Sequence, residues 1–137
     1  MIVQDILDRY GGRIITLSCD VDVSGLVAVT GREKIGLIIV THQVGRLTGI
    51  VSEHDLVRAL AQNDAAMANI MAQQLMTNEV IACRSKVGIE ITLSFMSTNQ
   101  IRHLPIVDDD QLLGLISIRD ILDVQREILI AYIERRR

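Results

Sequence analysis

Rings are scarce in this chain. Tyr10, Phe95 and Tyr132 are its aromatic residues, and tryptophan is absent. Three rings are too few for a base-stacking platform, and a net charge of −3 does not favour a polyanion. Cysteine occurs only at Cys19 and Cys83, so no disulfide framework is expected. The opening Met1-Ile2-Val3-Gln4-Asp5 lacks the basic, then apolar, character of a secretory leader. Two free thiols in the cytoplasm are therefore expected. No CxxC or HxxxH pair occurs and His42, His54 and His103 are scattered, so no metal site is expected. No apolar run approaches the roughly 20 residues of a membrane span. The densest, Gly36-Leu37-Ile38-Ile39-Val40, has strand length. Neither a nucleophile–base pair nor a Gly-rich phosphate loop stands out, which argues against an enzyme and gives no catalytic residue or catalytic cofactor.

What is present is apolar. Hydrophobic residues make up 49% of the 137 and charged residues 23%. With a mean hydropathy of +0.32, there is more apolar surface than one small monomer needs to bury, and an oligomer interface would absorb it.

The chain also repeats itself. Lys34-Ile35-Gly36-Leu37-Ile38-Ile39-Val40 aligns with Gln100-Ile101-Arg102-His103-Leu104-Pro105-Ile106, at an offset of 66. Leu47 to Leu56 aligns with Leu112 to Ile121, at an offset of 65. Ile14-Ile15-Thr16-Leu17 matches Val80-Ile81-Ala82-Cys83, again at 66. Three matches in one order point to a duplicated unit.

Each copy predicts the same elements. A short helix opens it (Val3 to Arg9; Ala72 to Met76), and a strand follows (Arg13 to Leu17; Val80 to Cys83). Next comes a helix, Ser24 to Arg32 or Gly88 to Ser97, the latter with Ile89, Leu93 and Met96 at helical spacing. Two hairpins follow: Gly36 to Val40 with Leu47 to Val51, and His103 to Val107 with Leu112 to Ile116. Their turns are at Val44-Gly45 and Asp108-Asp109-Asp110. A closing helix starts after Ser52 or Ser117. Residues 61–71 read as an ordered helical connector. Ile121, Val124, Ile128, Leu129 and Tyr132 form one stripe, for packing on the chain's own core or on a second chain. The fold class is α/β, divided as 1–62, a connector 63–72, and 73–137.

Gly-(apolar)₂-Ser-x-x-Asp occurs in both copies, as Gly49…Ser52…Asp55 and Gly114…Ser117…Asp120. Glycine admits a close neighbour at a strand end. Serine at a helix start sits where free N–H groups favour a phosphate. An aspartate accepts both hydroxyls of a ribose. A plain helix cap reads the same way. Against the cap stands the shorter Asp where reciprocal caps prefer Glu or Gln, together with the recurrence of the glycine and strand context.

The second copy, Ile101-Arg102-His103-Leu104-Pro105-Ile106-Val107 with Leu113-Gly114-Leu115-Ile116-Ser117-Ile118-Arg119-Asp120-Ile121-Leu122, resembles a cystathionine β-synthase (CBS) domain. The first copy resembles the same family through Lys34-Ile35-Gly36 and Gly49 to Asp55. The resemblance runs from about Val3 to Val124 and implies a CBS pair, or Bateman module. It implies two βαββα-like units about a pseudo-twofold axis, a regulatory role in ligand sensing, and a homodimer acting on a separate effector protein. It also implies an adenine nucleotide ligand: AMP, ADP, ATP or NAD. S-adenosylmethionine fits less well because it has no phosphate for the arginines.

Carried across by position, Asp55 and Asp120 would hold ribose hydroxyls, with Ser52 and Ser117 beside ribose or phosphate. Arg119 would reach phosphate, and Arg102 and His103 would sit at the cleft mouth. Backbone at Ile15 and Thr16, and at Ile81, would take the adenine edge; Ile39 and Pro105 would wall the base, and Gly36 belongs to the same set. Three positions depart from the family pattern: His54 for Arg, Ala82 for Thr and Ile39 for Pro. The two sites are therefore expected to be unequal, with the second favoured. The rival readings are a dimerisation scaffold that binds nothing, a nucleotide-acting enzyme, and nucleic-acid binding through Arg135-Arg136-Arg137.

Overall fold

A computed structural model describes residues 1–10, 14–33, 37–41, 46–63 and 69–137. The elements run α1 (Val3–Tyr10), β1 (Thr16–Ser18), α2 (Val23–Glu33), β2 (Leu37–Thr41), β3 (Leu47–Ser52), α3 (Glu53–Asn63), α4 (Ala72–Leu75), α5 (Ile89–Asn99), β4 (His103–Asp108), β5 (Gln111–Ser117) and α6 (Ile118–Arg135). The α/β class and the repeated order of elements are those the sequence predicts. Gly36, the Val44-Gly45 turn and connector residues 64–68 lie outside the described residues.

Ile14–Val80 forms one compact unit. Its sheet has the order β1-β2-β3, with β1 parallel and β3 antiparallel to β2. Period-two alternation turns Ile38 and Val40 to one face. There they meet Val23 and Leu26 of α2, Val51 of β3, Leu56 of α3 and Ala72 of α4, all buried. The predicted strand from Arg13 to Leu17 is shifted to Thr16–Ser18, and Arg13 is outside the described residues.

The N-terminal segment and Ile81–Arg137 form the other unit. Its hairpin closes at Asp109 and Asp110, with φ of 48° and 64°. Both lie in the left-handed region that a two-residue hairpin turn needs and that Asp tolerates. The predicted strand Val80 to Cys83 is reduced to one parallel bridge, Cys83 to Ile106. Cys83 N–H donates to the Pro105 carbonyl at 3.1 Å, and Val107 N–H donates to the Cys83 carbonyl at 2.8 Å. Past Cys83 the chain is held to β4 by side-chain bonds, with Ser85 tied to Asp108. The Ser85 N–H reaches Oδ1 at 3.0 Å and its hydroxyl reaches Oδ2 at 2.5 Å. Ile89 and Met96 of α5 are buried in the core with Leu93 packed against it, as their spacing predicts. The chain's own core covers only the first part of the α6 stripe. Ile121 and Val124 are buried, but Ile128, Leu129 and Tyr132 are at least half exposed, because the unit's own core ends at Val124.

Repeats and compact units are cut differently. The repeat division at 1–62, 63–72 and 73–137 assigns α1 to the first copy, yet α1 completes the core of the second. Val3, Ile6 and Leu7 pack with Leu104, Ile106 and Ile116. The backbone follows: Val3 N–H donates to Val87 O at 2.8 Å and Gln4 N–H to Ser85 O at 2.9 Å. Reciprocally, α4 joins the first copy, with Ala72 N–H on Val21 O at 2.7 Å. Thr77 and Ile50 exchange backbone bonds of 3.2 and 2.9 Å.

This exchange explains the glycine of each repeated motif. A Cβ on Gly114 would lie 2.8 Å from Leu7 Cδ2. One on Gly49 would lie 2.6 Å from Met76 Sδ and 3.0 Å from the Thr77 carbonyl oxygen. The close neighbour is a side chain from the other copy's opening helix segment. Because Gly49 faces backbone as well as a flexible tip, Gly49→Ala should cost about 1–3 kcal/mol of stability and Gly114→Ala less. Urea melts of both variants check this, and equal costs would contradict it.

The Ser85 bonds hold the Asp108 carboxyl below the usual carboxylate range, helped by Arg84 and Lys86 and opposed by desolvation. A depressed folded value means that the unfolded chain binds the proton more readily. The stabilisation is therefore present in full above the usual carboxylate range and is lost as pH falls below that range through the lowered folded value. Asp108→Asn should lower the melting temperature at pH 7 and flatten its decline in acid; melts from pH 7 to 3 measure both.

Candidate functional site

In the second copy β5 runs directly into α6, and Ser117 stands at the joint with extended backbone (φ −109°, ψ 158°). Its hydroxyl oxygen accepts the Asp120 N–H at 3.1 Å, and Asp120 Oδ2 accepts the Ser117 N–H at 2.9 Å. This is a reciprocal cap built with Asp. The shorter side chain, taken from sequence as a sign against a cap, spans it fully. Among the described residues nothing bonds the second oxygen, Asp120 Oδ1.

The hairpin brings further residues to the same end. His103 pairs with Ser117 across the ladder, and Ile118 N–H donates to the Arg102 carbonyl at 2.8 Å. Arg102, His103, Ser117 and Asp120 therefore converge, with exposed Arg119 between the last two. Burial pushes the His103 imidazole below its ordinary value; Asp120 pulls it up and Arg102 pushes it down. At pH 7 the ring is predominantly neutral, so Arg102 and Arg119 carry the positive charge here. Pro105 is buried two residues further along β4, on the face opposite Leu104 and Ile106. Ile81 packs partly against the core.

The first copy repeats the joint with a difference. Asp55 N–H donates to Ser52 Oγ at 3.2 Å, and Ser52 N–H donates to Asp55 Oδ2 at 2.9 Å. Here the other oxygen is occupied: Arg58 Nη2 donates to Asp55 Oδ1 at 2.6 Å. Arg58 is absent from the residues expected from sequence. Its place three residues after Asp55 on one helix face was the available signal. The matching position in the second copy is Asp123, an acid. His54 is exposed. Ile15 and Thr16 lie beside Ile39, with Ile39 N–H on the Ile15 carbonyl at 3.0 Å. Ile39 has no exposed surface, while Thr16 is exposed.

Other chemistry is sparse. Among the described residues no group of three His, Cys, Asp or Glu side chains could hold a metal ion. Burial raises the Cys83 thiol above its ordinary value, a bond from Thr92 opposes this and Asp108 adds to it, so little thiolate forms. A cavity of about 260 Å³ is lined by Arg84, Lys86, Asp108 and Asp109. One of about 440 Å³ is lined by Ala82, Cys83, Arg84, Val107, Asp109 and Asp110. Both sit at the turn end of the second hairpin, away from Ser117. No helix among the described residues is long and apolar enough to cross a membrane.

Two small α/β units, each with a strand–Ser–helix joint capped by Asp, define a tandem-repeat module. Residues 72–127 match the CBS domain family. The crystal structure of the CBS-domain containing protein ATU1752 from Agrobacterium tumefaciens is 31% identical, with a TM-score of 0.82 over 91% of this chain and 99% of that one. The chain belongs to the CBS-domain family. The CBS domain pair of protein MJ0100, solved in complex with 5′-methylthioadenosine and S-adenosyl-L-methionine, is 25% identical, with a TM-score of 0.78 over 90% of this chain and 98% of that one. Protein MK0525 of Methanopyrus kandleri is 31% identical over 73% of this chain, which spans 51% of that protein's length.

The joint carries a stability prediction of its own. Ser117→Ala removes the acceptor for the Asp120 N–H and should cost about 1 kcal/mol. Equilibrium urea unfolding measures it, and an unchanged midpoint would mean that the cap contributes nothing.

Proposed function

We propose that this chain is a regulatory module that binds an adenosine-type ligand in the second copy's site. The observation that carries the reading is the divided carboxylate of Asp120: Oδ2 holds the helix cap and Oδ1 is left to accept ribose hydroxyls. Arg102 and Arg119 stand beside it for a phosphate. Asp55 is the weaker acceptor, since Arg58 occupies its corresponding oxygen. That pair joins a half-exposed arginine to a buried carboxylate, so it handicaps the first site. Ser52, His54, Ile15, Thr16 and Ile39 belong to that lesser site, and Ile81, His103 and Pro105 to the favoured one.

The role is sensing, not catalysis. Both aspartates are engaged in caps, and a neutral His103 is left without a nucleophile to activate. A ligand shifts an equilibrium only by its differential affinity for two states, and a separate effector protein reads the result. Phosphate distinguishes the candidate ligands. AMP, ADP, ATP and NAD would use the arginines; S-adenosylmethionine and methylthioadenosine, carried by a structural relative, would not.

Thermal-shift titration with all six compounds tests this. A ligand at about 100 times its Kd adds roughly 2.7 kcal/mol of apparent stability. The shift should disappear in Asp120→Asn and persist in Asp55→Asn, each taken from the variant's own unliganded melting temperature. A second reading, a scaffold that binds nothing, is favoured by the Asp55–Arg58 pair and by His54, Ile39 and Ala82. No shift at millimolar ligand with folded protein would establish it over the first.

A further inference from the structure

The two strand–helix joints are built alike as far as the cap, and one contact separates them. Ser52 and Asp55 exchange bonds of 3.2 and 2.9 Å, as Ser117 and Asp120 do at 3.1 and 2.9 Å. Each aspartate gives Oδ2 to the cap. The use of Oδ1 differs. Arg58, one turn along α3, donates Nη2 to Asp55 Oδ1 at 2.6 Å. The residue in the same place after Asp120 is Asp123, an acid with no donor to offer. Burial follows the contact: Asp55 is 9% exposed, while Asp120 is half-buried.

The two partners of that contact are not equally held. The Asp55 side chain is 11% exposed and fixed by its cap, whereas the Arg58 side chain is 55% exposed. Among the described residues Arg58 has no second ion pair. A long stem with its head in water reorients without disturbing the core, and a capped carboxylate does not follow it. The contact is therefore a removable cover on a fixed acceptor. A site that is competent only when its cover is off binds with an affinity reduced by the open fraction. A charge-assisted bond favours the covered form by about ten-fold, the low end for such bonds because the arginine stands half in water.

We infer that Arg58 is an intramolecular latch on the first copy's site: it competes with a ribose diol for Asp55 Oδ1, and the contrast between Arg58 and Asp123 decides which copy binds. The inference rests on the reading of these aspartates as ribose acceptors. It adds that the first copy has lost no acceptor. Its joint is complete, and one side chain that can swing into water holds it shut.

Adenosine is the probe, because it carries the ribose diol and no charge, so that removing Arg58 deprives it of no phosphate contact. Calorimetric titration of the full chain is made in an Asp120→Asn background, which silences the second site, with circular dichroism confirming the fold of each variant. Adding Arg58→Ala should tighten adenosine binding about ten-fold or more. Arg58→Met, which keeps most of the stem and has no donor, should do the same, and Asp55→Asn added to either should abolish the gain. No gain with Arg58→Ala, a gain with Ala that Met does not reproduce, or a gain that survives Asp55→Asn would each overturn the inference. AMP titrated into the wild type keeps the two readings apart. AMP bound by the wild type and lost in Asp120→Asn, with adenosine indifferent to Arg58, would remove the latch alone. AMP not bound by the wild type, with adenosine captured once Arg58 is gone, would remove the second-copy site and leave the latch standing.

Discussion

A strand that runs straight into a helix leaves the first N–H groups of that helix without partners. In both copies one serine and one aspartate solve this together. Ser117 takes the N–H of Asp120, and Asp120 takes the N–H of Ser117. The consequence reaches beyond local stability. A carboxylate tied by one oxygen to the backbone has little rotational freedom, so its other oxygen is presented in a set direction. On the proposed reading, the cap and the ligand acceptor are two uses of one residue.

The glycine three residues before each serine serves a different interaction. It admits Leu7 or Met76 against the strand, seating an opening helix segment that belongs, by sequence, to the other copy. Neither unit completes its core from its own repeat. Each opening helix segment is thereby seated on the strands of the other copy.

Duplication produced two joints, and later divergence made them unequal. Arg58 pairs with one aspartate where the second copy has Asp123, and His54 occupies the repeat position that Arg119 has in the second copy. These are changes of one side chain each, on exposed helix surface where packing does not oppose substitution. They alter charge and available acceptors while leaving the capped backbone untouched.

Much of this was legible from the chain alone. Repeat offsets, the period-two strands, the helix at Ile89 to Met96 and the serine at each helix start follow from local chemistry, and local chemistry is what sequence records most directly. So do the family and the residues gathered at Ser117 and Asp120. The two misplaced β1-type strands, the exchanged opening helices and the exposed end of α6 were not legible. Each depends on which distant segment arrives at a given surface. Cys83 makes a single bridge, to Ile106 of a strand more than 20 residues away, and α1 joins the second core because Gly114 leaves room for Leu7. Whether Ile128 and Leu129 are buried depends on where the core ends. Sequence by itself determined the elements, the repeat and the short-range chemistry of the two joints, down to the Asp55–Arg58 pair three residues apart; tertiary structure alone decided which copy each opening helix completes, because that is set by contacts between residues far apart along the chain, such as Leu7 with Gly114.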